Sequence, residues 1–261
     1  MQFPHLAKRQ GGKNNMQNRI EKYWQGEAAR YSENIWKEMN GFKKAAWQTL
    51  INEYLPQGQS LKILDIGTGP GFFAMILSEM GHRVTAIDCA DKMLEEAKFN
   101  TQKAGFQVEF YKMDSHALTF PDNTFDVLVC RNLTWILQDP WKAYREWHRI
   151  LKPEGRLLVF DANWNLRFHD AKMQKMYEED QERAKLLGIR KNDHVDPEEC
   201  DSIAKELFFS KILRPQWDAE ALLNIGFRRL WIDTNVSERI WDEEEKILNR
   251  STPMFLICGE K

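Results

Sequence analysis

From residue 18 to residue 54 the apolar and aromatic side chains recur at helical spacing: Ile20, Tyr23, Trp24; Tyr31, Ile35, Trp36, Met39; Phe42, Ala46, Leu50. This predicts two or three helices that end before Pro56-Gln57-Gly58. Residues 1–18 are polar, carry Gly11-Gly12, and read as a frayed basic tail. Then the pattern switches. Residues 61–66 form a short apolar run stopped by glycines, as in a buried parallel strand. A helix over 72–80 closes at Gly81, a strand covers 83–87, and a helix over 92–104 ends at Gly105. Strands at 107–112, 125–130 and 156–160 and a helix at 140–151 complete the series.

Alternation of strand and helix at this spacing means βαβ units and a parallel sheet covered on both faces. After Asp161 the rhythm breaks: residues 165–214 are helical, charge-rich and without a strand signal. The stretch reads as an insertion, because a helix at 215–225 and strands at 228–236 and 254–259 follow it. The expected organisation is a tail and helical lid over 1–56, then one domain over 57–261.

Composition narrows the partners. Lys and Arg number 37 against 39 Asp and Glu, a net charge of −2, which argues against a broad nucleic-acid surface. No stretch approaches the ~20 apolar residues of a membrane span, and the N-terminus lacks the apolar region of a signal peptide. Cys89, Cys130, Cys200 and Cys258 have no C-x-x-C spacing, so they suit reduced thiols in the cytoplasm and no metal site.

The sharpest local feature is Asp65-Ile66-Gly67-Thr68-Gly69-Pro70-Gly71, between the first strand and its helix. Glycines there let the backbone approach a ligand, and the helix N-terminus behind them presents free N–H groups. Asp88, ending the second strand, stands where an acid grips ribose hydroxyls. A dinucleotide fingerprint needs its third glycine three positions after the second, where Phe72 stands instead. Asp65 would also repel a pyrophosphate and attract an ammonium group, which favours a cationic nucleoside without phosphate.

These residues resemble motif I and its acidic partner in the class I S-adenosylmethionine-dependent methyltransferases. The resemblance continues through Asp114-Ser115, Phe125-Asp126-Val127 and the turn Leu151-Lys152-Pro153-Glu154-Gly155-Arg156-Leu157. Glu154 stands there in place of a glycine, in a structural turn. The match covers 61–161 and is closest to the small-molecule group called methyltransferase type 11. It implies a Rossmann-like, doubly wound, mostly parallel seven-stranded sheet in the order 3-2-1-4-5-7-6, the last strand antiparallel.

For the cofactor, S-adenosylmethionine, with S-adenosylhomocysteine as product, the resemblance implies a set of contacts. Asp65, Gly67, Thr68, Gly69 and Gly71 would hold the methionine part, and Asp88 the ribose. Cys89 and Met93 would flank adenine, with Asp114 and Ser115 on its edge. The Arg131 carbonyl would meet the ammonium and Leu133 would pack under the sulfonium side, with Asn132 between them also in contact with the cofactor. Met93 also reads as plain core, Asp114 as a cap, and Arg131 either as the partner of a carboxylate or as an anion binder. Tyr23 and Tyr31 would close over the cofactor as a lid, where Tyr23 and Trp24 cannot both face inward.

The implied activity is in-line methyl transfer to a small-molecule acceptor, by a monomer or homodimer, with no nucleic acid and no membrane. Trp24, Trp135, Trp164, His169 and His194 are the acceptor-side candidates, and no residue announces itself as a catalytic base. The alternatives are a non-catalytic S-adenosylmethionine-binding regulatory module, a protein methyltransferase, and an NAD-dependent oxidoreductase.

Overall fold

The computed structural model describes residues 5–57, 60–190 and 194–261, with side chains from residue 15 onward. Seven strands form one sheet: β1 (Lys62–Ile66), β2 (Arg83–Asp88), β3 (Glu109–Lys112), β4 (Phe125–Arg131), β5 (Leu151–Asp161), β6 (Arg229–Asp233) and β7 (Phe255–Glu260). Their order is β3-β2-β1-β4-β5-β7-β6. β1 to β5 run parallel, and β7 runs antiparallel to both β5 and β6. The expected topology is therefore observed.

Alternation along the strands feeds two cores. Ile63, Val127, Val129 and Leu158 point into one, packed beneath α2 (Phe42–Asn52) and α3 (Phe72–Glu79). Leu64, Leu128, Cys130 and Leu157 point into the other, with residues of α5 (Pro140–Ile150) and α8 (Gln216–Ile225). After the exposed Lys62, β1 is buried on both faces, which is why Ile63 and Leu64 are both apolar rather than alternating with polar residues.

The remaining helices are α1 (His5–Asn40), α4 (Asp91–Lys103), α6 (Ala171–Leu186), α7 (Pro197–Glu206), α9 (Ser237–Ile240) and α10 (Glu243–Leu248). Aspartates start several of them. Asp139 accepts the Lys142 N–H at α5, and Asp196 accepts the Glu199 N–H at α7, each with proline at the first turn. Among the described residues, no helix is long and apolar enough to cross a membrane.

The structure departs from the sequence expectation in three places. The backbone is already helical at His5, so Gly11-Gly12 lies inside α1 where a frayed tail was expected. Once Met16 and Ile20 anchor the helix, each added residue costs far less than nucleation. β5 begins at Leu151, so the K-P-E-G segment forms an irregularity within the strand, opposite a register shift between Phe125 and Val127. Glu154 there takes φ +63°, the conformation a glycine would adopt at lower cost. Finally β6 stops at Asp233, and the stretch before β7 holds α9 and α10, too short to show a period.

Candidate active site

The loop after β1 turns through three glycines with positive φ. Two of them are also crowded. A Cβ on Gly67 would lie 2.6 Å from Leu133 Cδ1, and one on Gly71 would lie 3.3 Å from the Ala97 backbone. Gly67 thus lets the loop meet the end of β4, whereas Gly71 lets α3 meet α4.

Three carboxylates stand at the carboxyl ends of β1, β2 and β3. Asp65 is buried, accepts from Thr68 Oγ1 at 2.6 Å, and is pushed up to about 7, chiefly by burial. The Thr68 bond and the Arg131 charge pull the other way. Asp88 accepts the Gly69 N–H at 3.0 Å and the Ala90 N–H at 2.9 Å, and burial raises it too. A carboxylate has about four acceptor sites, so capacity for further donors remains. Asp114 accepts the His116 N–H and lies 2.6 Å from His116 Nδ1. Burial alone would raise Asp114, but the His116 bonds hold it below its ordinary value. It therefore caps its own turn and lines the cavity together. Met93 combines two places as well, packed against Ala28 and Ala90 and facing the cavity.

At the end of β4, Arg131 donates to Glu38 of α1 at 2.8 Å and stacks 4.6 Å from the Phe72 ring. Of the two sequence readings for Arg131, the carboxylate partner is present. Asn132 adopts φ +55°, and its buried Oδ1 has no hydrogen-bond partner among the described residues. Its carbonyl accepts from Trp135 Nε1 at 3.0 Å.

Asp65, Asp88, Asp114, Met93, Arg131 and Asn132 border one cavity of about 370 Å³. One end, past β1 to β3, holds Asp65, Asp88 and Asp114; the other, past β4 and β5, holds Trp135 and Trp164, and Trp24 lies between them, against Met93 and Trp135, with Tyr177 also in the lining. Tyr31, Gly67, Thr68, Gly69, Cys89, Ser115, Leu133 and His194 also line it. On α1, Trp24 meets Tyr31 edge-on at 5.3 Å and Trp135 at 6.4 Å. The Cys89 thiol is raised by burial and stays protonated at neutral pH.

Three sequence candidates lie elsewhere. Tyr23 turns away from the cavity, and its hydroxyl stands 2.5 Å from His194 Nδ1; Trp24, about 100° round the helix, takes the inward position. Gly71 faces α4, as its crowding by Ala97 requires. His169 is at the surface, with Nε2 3.1 Å from the Lys205 carbonyl oxygen. Conversely, Tyr177, Asn249 and Thr252 line the cavity and were not expected there. No local motif marks them, since α6 and the stretch after α10 are brought in by tertiary packing. Among the described residues no cluster suited to a metal ion occurs.

Residues 64–159 match the model of a methyltransferase domain. The chain is 36% identical over 101 residues to the uncharacterized methyltransferase YcgJ of Bacillus subtilis, spanning 38% of this chain and 40% of that protein. It is 37% identical over 102 residues to the demethylmenaquinone methyltransferase of Thermus thermophilus, spanning 38% of this chain and 46% of the relative. The chain thus spans less than half the length of these curated relatives. The crystal structure of a SAM-dependent methyltransferase from Aquifex aeolicus shares the fold, with a TM-score of 0.53, 20% identity, and coverage of 88% of this chain and 97% of the other. The glycine loop and acidic strand ends thus lie in the segment that matches a methyltransferase domain, set in a sheet whose fold the Aquifex methyltransferase shares.

Proposed function

We propose that this protein transfers a methyl group from S-adenosylmethionine to a small-molecule acceptor. The observation that carries the reading is the chemical asymmetry of a single cavity: hydrogen-bond acceptors at one end, aromatic rings at the other. At the acceptor-rich end Asp65, Asp88, Asp114 and the unpartnered Asn132 Oδ1 call for a ligand that brings donors. The ammonium, ribose hydroxyls and adenine amino group of S-adenosylmethionine are such donors, while a dinucleotide pyrophosphate would be repelled by Asp65. The residues present fit the cofactor.

In this reading Asp65 holds the ammonium and Asp88 the ribose, through charge-assisted bonds of the stronger kind. Asp114 and Met93 hold the adenine. S-adenosylmethionine supplies a methyl group activated by its positive sulfur. The protein's contribution is alignment of acceptor and methyl donor, the larger part of what such a displacement needs. Trp24, Tyr31 and Trp135 offer ring faces to a cationic centre, worth about 0.5–2 kcal/mol depending on desolvation. The roof formed by α1 keeps water out. The near-zero net charge and the Thermus relative, named for a quinone precursor, support a small acceptor over a polymer.

Calorimetry tests the reading. S-adenosylmethionine and S-adenosylhomocysteine should each bind with Kd on the order of micromolar. Heat with NAD and none with either of these ligands would overturn it. A radiolabelled-methyl screen of small-molecule pools then identifies the acceptor.

A further inference from the structure

We infer that Asp161 and Arg214 are positioning residues for the acceptor: they form a buried clasp that sets the tryptophan walls of the aromatic lobe. The inference rests on reading that lobe as the acceptor site.

Asp161, the last residue of β5, is fully buried, and donors alone face it. Its Oδ2 accepts from Thr134 Oγ1 at 2.5 Å, the Trp135 N–H at 2.8 Å and Arg214 Nη1 at 3.2 Å. Its Oδ1 accepts from the Ala162 N–H at 2.8 Å and Trp164 Nε1 at 2.9 Å. The two oxygens thus accept from five donors, with no acceptor opposite among the described residues. One side chain therefore anchors the backbone of one lobe tryptophan and the indole of the other.

Arg214 closes the clasp. It is buried, donates to both Asp218 oxygens at 2.6 and 2.8 Å and to Thr134 Oγ1 at 2.7 Å, and lies 4.0 Å from the Phe209 ring. The backbone N–H of Arg214 donates to Asn163 Oδ1 at 3.0 Å, and Asn163 Nδ2 donates to the Arg214 carbonyl at 2.9 Å. The chain thus leaves the sheet after Asp161 and returns at Arg214 through one tied neck. Between these points it sends Trp164, Tyr177 and His194 to the cavity. Asp161, Arg214 and Asp218 do not border the cavity, so their effect on a bound acceptor passes through the tryptophans.

Asp161→Asn separates positioning from general support of the fold. The amide oxygen is drawn to the side with three donors, one of them the guanidinium. The new NH2 then faces the Ala162 N–H and the Trp164 indole, which it cannot bond. Trp164 is released while Trp135 keeps its anchor.

The test uses the full chain, with 15N-indole spectra, calorimetry with S-adenosylhomocysteine, and labelled methyl transfer to a fixed panel of phenols, amines and thiols. In Asp161→Asn the Trp164 indole proton should exchange about tenfold faster or more, with the Trp135 signal unmoved. S-adenosylhomocysteine affinity should stay within about threefold, while relative rates across the panel shift by about tenfold or more. An unchanged Trp164 signal, unchanged panel preference, or an equal loss of S-adenosylhomocysteine affinity overturns the inference. If Asp161→Asn does not fold, Arg214→Lys, which lies outside the cavity lining, loosens the clasp from its other side and should shift the panel preference likewise; an unshifted preference overturns it. Failure of the unsubstituted protein to bind S-adenosylhomocysteine would instead strike the methyltransferase reading, with the indole signals still reporting on the clasp.

Discussion

At one end of the cavity Asp65, Asp88 and Asp114 stand within two residues of the ends of β1, β2 and β3, and each is hydrogen-bonded to residues of its own loop or the next. At the other end Trp135 comes from the turn after β4 and Trp164 from beyond β5, while Trp24 of α1 bridges to them from Met93 and Tyr177 of α6 also lines the cavity. Long-range ties hold that end: Arg19 of α1 to Glu199 and Glu206 of α7, and Asp161 to Arg214. Neighbouring parallel strands place the first end by register alone. The second end depends on side chains distant in sequence finding one another, so a change of acceptor need not disturb the cofactor end.

The largest expected effect falls on the locally built end. Asp88→Ala removes two charge-assisted bonds to a ribose, about 2–4 kcal/mol, so S-adenosylhomocysteine affinity should fall about 100-fold. Calorimetry and circular dichroism together would show weak binding in a folded protein. An affinity within about twofold of the parent would remove the ribose role.

A middle-sized effect concerns pH. Burial lifts the Asp65 carboxyl from 3.8 to about 7, so between these values the folded protein keeps a proton that the unfolded chain has lost. Stability contributed by this group is present at the acid side and declines as pH rises from about 4 to about 7. Affinity for the ammonium-bearing ligand should rise over the same interval, by up to about tenfold per unit, as the carboxyl ionises. Asp88 is raised in the same sense, so Asp65→Asn isolates the share of Asp65 by flattening the calorimetric pH profile. A parent profile that is flat from pH 5.5 to 7.5 would break the assignment.

The smallest effect tests the independence of the two ends. Arg19→Ala cuts a half-exposed tie between α1 and α7 and should cost about 1 kcal/mol or less in denaturant unfolding. S-adenosylhomocysteine affinity should change by less than about twofold. A drop of about tenfold would mean that the roof and the cofactor end act as one unit.

The sheet was legible because period-two burial and glycine-stopped runs leave a strong signal, and the candidate cofactor residues because strand ends in such a sheet converge on one edge. Less was legible where two neighbours compete for one face. Tyr23 and Trp24 are equally aromatic and equally helical; contact of Trp24 with Tyr31 and Trp135 decides between them. Arg131 reads two ways until Glu38 is placed beside it. Asp161 shows in the sequence only as the point where the strand–helix rhythm ends, and Arg214 lies 53 positions further on.

By itself the sequence determined the parallel sheet, the tight loop at Gly67 and the acids at the strand ends. Each follows from steric or periodic rules acting over a few residues. The tertiary structure alone decided which aromatics wall the cavity, how Arg131 is neutralised, and where Asp161 finds its five donors. Those choices rest on contacts between elements far apart along the chain, whose energies no local pattern records.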